Sequence, residues 1–263
     1  MQIEIVTLSR QGGRSYNEDV YGHWHDERYV AFLVSDGAGG HGGGDVAAAT
    51  ARSSILAGYS ARPSLDPPAL QRLLEQANLD IVARQAEGGA LAAMRATIVF
   101  AVIDCEQNHL MWTHSGDSRA YLYRNASLVA RTTDHSLVQQ MISSGMLSEE
   151  EARLHPQRNM LLSALGSVNE KPDIAVSARM VVQPGDAVLL CSDGVWEPLG
   201  DGCLQETLMA SRTPGQWIAE IGRQVQAKAK PGHDNYTAVV VWLRADDDDD
   251  DATLLMESVP DGK

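Results

Sequence analysis

Two apolar runs in this chain end in the same tripeptide. Tyr29-Val30-Ala31-Phe32-Leu33-Val34 closes on Ser35-Asp36-Gly37, and Ala187-Val188-Leu189-Leu190-Cys191 closes on Ser192-Asp193-Gly194. An aspartate at the exit of a buried strand is held rigidly yet reaches solvent or an ion, and the glycine behind it lets the backbone turn sharply and offer its carbonyl. Strand–Asp–Gly is also ordinary turn chemistry; its repetition in distant parts of the chain is what points to a carboxylate cluster. More acids stand in tight or strand-terminal settings: Arg14-Ser15-Tyr16-Asn17-Glu18-Asp19, Gly116-Asp117-Ser118-Arg119, Asp134-His135-Ser136 and Gly232-His233-Asp234-Asn235. This donor set is all oxygen. It selects hard cations such as Mg²⁺ or Mn²⁺, whereas zinc prefers histidine or thiolate. Converging carboxylates need such cations, because burying them unpaired is prohibitive.

Other chemistries are excluded. Gly37-Ala38-Gly39-Gly40-His41-Gly42 fits G-x-G-x-x-G, but Asp36 directly before it repels a pyrophosphate, and the chain lacks repeated βαβ units. No Gly-Lys-Ser/Thr follows, so there is no P-loop. A cysteine-dependent phosphatase needs an arginine six residues after its nucleophile; behind Cys105, Cys191 and Cys203 those positions are Met111, Glu197 and Met209. Three cysteines without metal-type spacing give no disulfide framework and fit a reducing compartment.

The elements that must position these residues are short strands, expected at 2–8, 28–35, 95–104, 109–115, 118–123, 126–132, 173–181, 186–192 and 236–243. Helices are expected at 45–60, 67–87, 135–145, 148–154, 201–210 and 214–229. Short connections between 104 and 126 imply antiparallel hairpins, hence an α+β layered domain over residues 1–244. The 263 residues are 44% hydrophobic, ample for a core, and carry a net charge of −14. Half of that charge lies in 245–263, where Asp246 to Asp251 form a run of like charges; this segment reads as a disordered, solvated tail. Neither the acidic body nor the apolar runs favour nucleic acid or a membrane, and no signal peptide is evident, so a cytoplasmic protein is expected.

The order R-x-x-N-E-D, D-G-x-G-G-H, G-D-S-R, D-H-S, S-D-G and D-N, covering residues 9 to 243, resembles the metal-dependent protein phosphatases of the type 2C (PPM) family, especially bacterial serine/threonine phosphatases. The resemblance implies a four-layer α-β-β-α sandwich, two packed antiparallel sheets flanked by helices. It also implies two Mn²⁺ or Mg²⁺ ions at one end, with a third ion in many bacterial members. By motif, Asp36 bridges both ions, Asp193 and Asp234 hold the first, and Asp19 with the Gly37 carbonyl holds the second. Glu18 is the alternative to Asp19, and Asp117 joins Asp193 at the third ion. Arg14 takes the place of the phosphate clamp. Many eukaryotic relatives carry a histidine where this chain has Ala38; here the histidine is His41, and the general acid stays open between His41, a metal-bound water and none.

The activity implied is hydrolysis of phosphoserine and phosphothreonine in proteins by a water activated by the two ions, reversing a serine/threonine kinase. The partners implied are phosphorylated proteins, that kinase and its substrates, met by a monomer. Segment 135–170, with Arg158-Asn159-Met160-Leu161, corresponds to the mobile flap beside the active site. A silent phosphoprotein-binding module on the same scaffold is disfavoured because every expected carboxylate is present. A metal-dependent nuclease calls for a basic groove that the acidic body gives little sign of.

Overall fold

The apolar runs fold as strands that bury both faces, and this fixes the layering. A computed structural model describes residues 1–39, 42–168 and 170–245, and the backbone of Leu254–Ser258. Along β3 (Tyr29–Ala38), Ala31 and Leu33 face one core while Val30, Phe32 and Val34 face another. The same alternation recurs on the strand Tyr236–Arg244, where Val239, Val241 and Leu243 turn opposite to Ala238 and Val240. Strands buried on two faces belong to the middle of a layered fold.

The other strands are β1 (Gln2–Arg10), β2 (Asp19–His25), β4 (Arg95–Ala96), β5 (Ile98–Asp104), β6 (His109–Ser115), β7 (Arg119–Arg124), β8 (Ser127–Arg131), β9 (Ala175–Val176), β10 (Met180–Val181), β11 (Asp186–Cys191) and β13 (Leu254–Ser258), with Tyr236–Arg244 as β12. Among the described residues they form two sheets. One runs β13-β1-β12-β11-β7-β8; the other runs β10-β6-β5-β3-β2, with β4 on β3 and β9 on β6. Every pairing is antiparallel except β1–β13, which is parallel.

The helices are α1 (Gly44–Ala61), α2 (Pro67–Gln85), α3 (Leu137–Ser143), α4 (Glu149–Leu154), α5 (Asp193–Met209) and α6 (Pro214–Lys228). One core joins α1 and α2 to the second sheet, a middle core fills the space between the sheets, and a third joins α5 and α6 to the first sheet. This is the α-β-β-α sandwich that the resemblance implied. Side-chain caps start α2, α4 and α6 close to where the sequence placed them. Asp66 accepts from the Ala69 amide ahead of Pro67-Pro68, Thr213 accepts from Gln216, and Ser148 with Glu151 forms a capping box on α4. Among the described residues no helix is long and apolar enough to cross a membrane.

Five elements differ from expectation; one is the strand expected over 95–104, which divides into β4 and β5 around Thr97. β2 is a strand despite its mixed sequence, because it lies at a sheet edge and its Gly22 admits the side chains of Arg52 and Leu56 on α1. The helix expected at 201–210 is the second half of α5, which begins at Asp193 and kinks at Pro198 and Gly200. The single strand expected over 173–181 is two short ones, β9 and β10. Within 245–263, read as a disordered tail, residues 254–258 pair with β1 from Ile3↔Leu254 to Thr7↔Ser258. A run of unpaired edge groups on β1 offers such a segment a full set of backbone partners. The Asp246–Asp251 run lies outside the described residues.

Candidate active site

Chain direction brings the carboxylates to one end of the sandwich. β3 exits there with Asp36, β6 with Asp117 in the following turn, and β11 with Asp193; β2 enters there with Asp19, and β12 just after Asp234. Asp19 and Asp36 stand opposite each other in the β2–β3 ladder. The paired glycines are required by close backbone approach. A Cβ on Gly37 would overlap the Gly44 backbone, and one on Gly194 would overlap the Asn235 carbonyl.

A cavity of about 360 Å³ opens at this end, lined by Arg14, Glu18, Asp36, Gly37, Asp117, Asp193 and Asp234, with Asn159 and Leu161 contributed by segment 135–170. Asp19 does not line this cavity; it stands across the ladder from Asp36 and is nearly fully buried. Burial pushes the Asp36 carboxyl well above the ordinary carboxylate range, and the charges of Asp19, Asp193, Asp117 and Asp234 add to the rise. Asp193 is raised in the same way, by burial and then by Asp117, Asp234, Asp19 and Glu197. Burial lifts Asp19 to about 6 against hydrogen bonds from Ser192 and Thr237, and Asp117 to about 7, with Asp134 adding and Arg119 opposing. Glu18 is raised by burial, partly countered by Tyr16.

Three carboxylate oxygens, Glu18 Oε1, Asp19 Oδ1 and Asp193 Oδ1, are buried without a hydrogen-bond partner. Such groups are costly unless a cation or donor meets them. Among the described residues no three acid, histidine or cysteine side chains are already drawn into a metal cage. The unpartnered oxygens, the raised carboxyls and the all-oxygen donor set fit hard divalent cations.

Each residue singled out in the sequence is accounted for. Arg14 reaches the cavity and donates from Nη2 to Asp234 Oδ2 at 2.7 Å, an exposed pair. His41 lies outside the described residues. Asp134 does not join the cluster: Arg119 grips it with two hydrogen bonds of 2.8 and 2.7 Å. Trp196 stacks 3.5 Å from the Arg119 guanidinium and donates from Nε1 to the Asp117 carbonyl at 2.9 Å, so this group props the Asp117 turn.

Sequence reasoning missed the tethers. Asn235, read with Asp234 as a motif, is itself the staple of the Arg14 loop: its Nδ2 donates to the Gln11 and Tyr16 carbonyls at 2.6 and 3.0 Å, and its Oδ1 accepts from the Glu18 amide at 2.9 Å. Both serines of the repeated tripeptide also work. Ser192 donates to Asp19 Oδ2 at 2.7 Å and accepts from the Thr237 amide, while Ser35 donates to the Thr97 carbonyl at 2.6 Å. Thr97 Oγ1 accepts from the Asp36 amide at 3.2 Å and pairs with Ser118 Oγ at 2.7 Å. The repeated serine was the one available signal.

The chain is similar to known proteins over most of its length. A family model described as protein phosphatase 2C matches residues 9–229. The serine/threonine phosphatase Stp of Listeria innocua is 32% identical over 236 residues, 87% of this chain and 90% of that relative. The crystal structure of the Mycobacterium tuberculosis serine/threonine phosphatase PstP/Ppp matches with a TM-score of 0.79 at 28% identity, covering 93% of this chain and all of that one, 100%. The catalytic domain of the serine/threonine protein phosphatase PstP in complex with 2 manganese ions matches at 27% identity and a TM-score of 0.76, over 92% and 99% of the two chains.

Proposed function

The chain belongs to the protein phosphatase 2C family and is a protein phosphatase; on that footing we propose that it hydrolyses phosphoserine and phosphothreonine in proteins, using two Mn²⁺ or Mg²⁺ ions held in the carboxylate cavity. The observation that carries the two-ion reading is the surplus of buried negative charge, four aspartates raised by burial and mutual repulsion with unpartnered oxygens among them. Asp36 is central, since its carboxyl feels all four other aspartates, and would help to hold both ions. Asp193 and Asp234 would hold the first ion, and Asp19 with the Gly37 carbonyl the second. Glu18, whose Oε1 also lacks a partner, is the alternative. Asp117 with Asp193 would take a third ion. Bound there, the ions lower the pKa of a water and neutralise charge in the transition state.

The chain's own groups do the rest. Arg14 gives a planar guanidinium to the phosphate; its exposed pairing with Asp234 shows that it reaches the cavity mouth. Asn235 fixes the loop carrying Arg14 and Glu18, and Ser192 and Thr97 hold the Asp19 and Asp36 segments in place. Residues 135–170 act as the flap that tunes substrate choice, supported by Asn159 and Leu161 at the cavity wall. The enzyme would oppose a serine/threonine kinase in the cytoplasm, consistent with three free cysteines. The direct test is phosphate release from a phosphothreonine peptide. Release is expected with Mn²⁺ or Mg²⁺ and not in EDTA; equal release in EDTA would sink the metal role, and none with either ion would sink the activity.

A further inference from the structure

Beside the carboxylate cavity, and continuous with it through Arg14, Asn159 and Asp234, lies a groove of about 690 Å³. Its walls hold Arg14, Arg153, Arg158, Lys228 and Lys230, five of only 21 arginines and lysines in a chain of net charge −14. Its acids are Glu197 and Asp234, and both are engaged: Arg14 holds Asp234 at 2.7 Å, and Arg158 holds Glu197 at 2.5 Å. Arg153, Lys228 and Lys230 form no ion pair among the described residues, and all three are exposed. They come from separate elements: α4, the end of α6, and the loop leading to Asp234. Lys228 donates to the Pro198 carbonyl at 3.2 Å, which sets its ammonium on the α5 side of the groove. Leu154, 87% exposed, with Pro198 and Pro231, supplies apolar wall between the charges.

Unpaired cations gathered on one groove of an otherwise acidic surface create a local positive field. Because the groove shares Arg14 and Asp234 with the cavity, a chain whose phosphoryl group sits at Arg14 can pass its neighbouring residues along it. We propose that this groove docks an acidic stretch of the substrate, so that phosphoresidues flanked by Asp or Glu are the preferred ones. The inference rests on the phosphatase reading and adds a specificity determinant to it. The chain's own Asp246–Asp251 run is the competing occupant. β12 argues against it, carrying the chain from Tyr236, next to Asp234–Asn235, to Arg244 opposite Gln2, roughly 30 Å of strand away from the groove.

The test separates binding from turnover. An unphosphorylated fluorescent peptide rich in glutamate, its glutamine counterpart, and a glutamine counterpart carrying several phosphoserines are titrated against the full chain by anisotropy at low salt. The glutamate peptide is expected to bind about tenfold tighter than the glutamine one, a preference that shrinks as salt screens it. Lys230→Glu, in a loop, and Lys228→Glu/Lys230→Glu should erase the preference. With Mn²⁺, the double variant should lose about tenfold in kcat/KM on an acidic phosphothreonine peptide and nothing on an aryl phosphate. Equal binding of glutamate and glutamine peptides, or a preference that survives both variants, overturns the proposal. Tighter binding of the multiply phosphorylated peptide than of the glutamate one assigns the groove to a second phosphate and overturns it too. Binding that appears only after Asp246–Asp251 are changed to asparagine shows the groove to be filled by the chain itself, which likewise overturns the proposal. A chain that hydrolyses no phosphoester would instead sink the proposed activity, while the anisotropy still decides the groove.

Discussion

The two ends of the β-sandwich treat buried carboxylates in opposite ways. At the end away from the cavity, Asp104 closes β5 and Asp186 opens β11, at 1% and 0% exposure, and each is gripped by an arginine. Arg28 donates to Asp104 at 3.1 and 2.8 Å, and Arg124 to Asp186 at 2.8 and 2.7 Å. Burial pushes Asp104 up, but the Arg28 and backbone hydrogen bonds outweigh it and hold the carboxyl below its ordinary value. At the cavity end, Asp19 and Asp117 are buried and Asp36 and Asp193 half-buried; among the described residues none of the four forms an ion pair with an arginine, and all are raised. The cavity end holds a buried arginine as well, but Arg119 is taken up by Asp134; the four raised aspartates are left without such a partner, which fits a cation from outside. Charge left unbalanced by the chain marks where chemistry is done.

Exchanging one carboxylate at each end gives the sharpest break of this comparison and the largest expected effect. Asp36→Asn should cut Mn²⁺-dependent turnover by a factor on the order of 10³, yet leave the metal-free melting temperature unchanged or higher, since it removes a repelled charge. Asp186→Asn should do the reverse. Turnover persists, while stability falls by about 1–3 kcal/mol because Arg124 loses its ionic partner. Kinetics and thermal melts in EDTA read both; a destabilised Asp36→Asn with full activity would erase the distinction between the ends.

Arg14 and Asp234 pair at the cavity mouth, and the exposure of this pair sets it apart from the far-end pairs. An exposed pair contributes little to stability. Arg14→Ala should therefore leave the melting temperature nearly unchanged while raising KM roughly 10- to 100-fold, the loss of charged hydrogen bonds to phosphate. Mn²⁺ affinity, followed by calorimetry, should barely move. Equal weakening of metal and substrate would place Arg14 among the groups that organise the ions.

Much of this contrast is legible in the sequence, and the gaps have physical causes. Asp36, Asp193, Asp117 and Asp234 could be picked out because strand exits and turns leave local signatures: an apolar run, then Asp with Gly. That they converge could not be read locally, since it depends on β3, β6, β11, β2 and β12 being ordered across two sheets; the family resemblance supplied it. β2 escaped notice because an edge strand needs no apolar alternation. The tethers made by Asn235, Ser192 and Thr97 escaped because each joins segments distant in sequence, Asn235 and Gln11 being 224 residues apart. The far-end pairs leave no pattern either: Arg124 and Asp186 meet only because β7 and β11 are neighbours in register.

The smallest expected effect is the pH dependence of the metal-free protein, where the two ends should titrate with opposite sign. A carboxyl raised in the folded state holds its proton at a pH where the unfolded chain, near 3.9, has lost it; the folded state then binds more protons, and stability falls as pH rises. A carboxyl held low, as Asp104 is by Arg28, contributes stability that is lost only as pH falls below the ordinary carboxylate range. Between about pH 4 and 6.5 the raised acids are opposed by His114, pushed down to about 4 by burial, whose unfolded form takes up a proton first. Above pH 6.5 that opposition has ended, and Asp117 at about 7, with Asp36 and Asp193 well above their ordinary values, still titrates. In EDTA the melting temperature should therefore drop by a few degrees from pH 6.5 to 8. Added Mn²⁺ competes with those protons, so it should raise the melting temperature more at pH 8 than at pH 6. Asp36→Asn should lessen the slope, leaving the share of Asp117 and Asp193. A slope undiminished in that variant, or a Mn²⁺ gain equal at both pH values, would show that Asp36 is not among the groups that hold the protons.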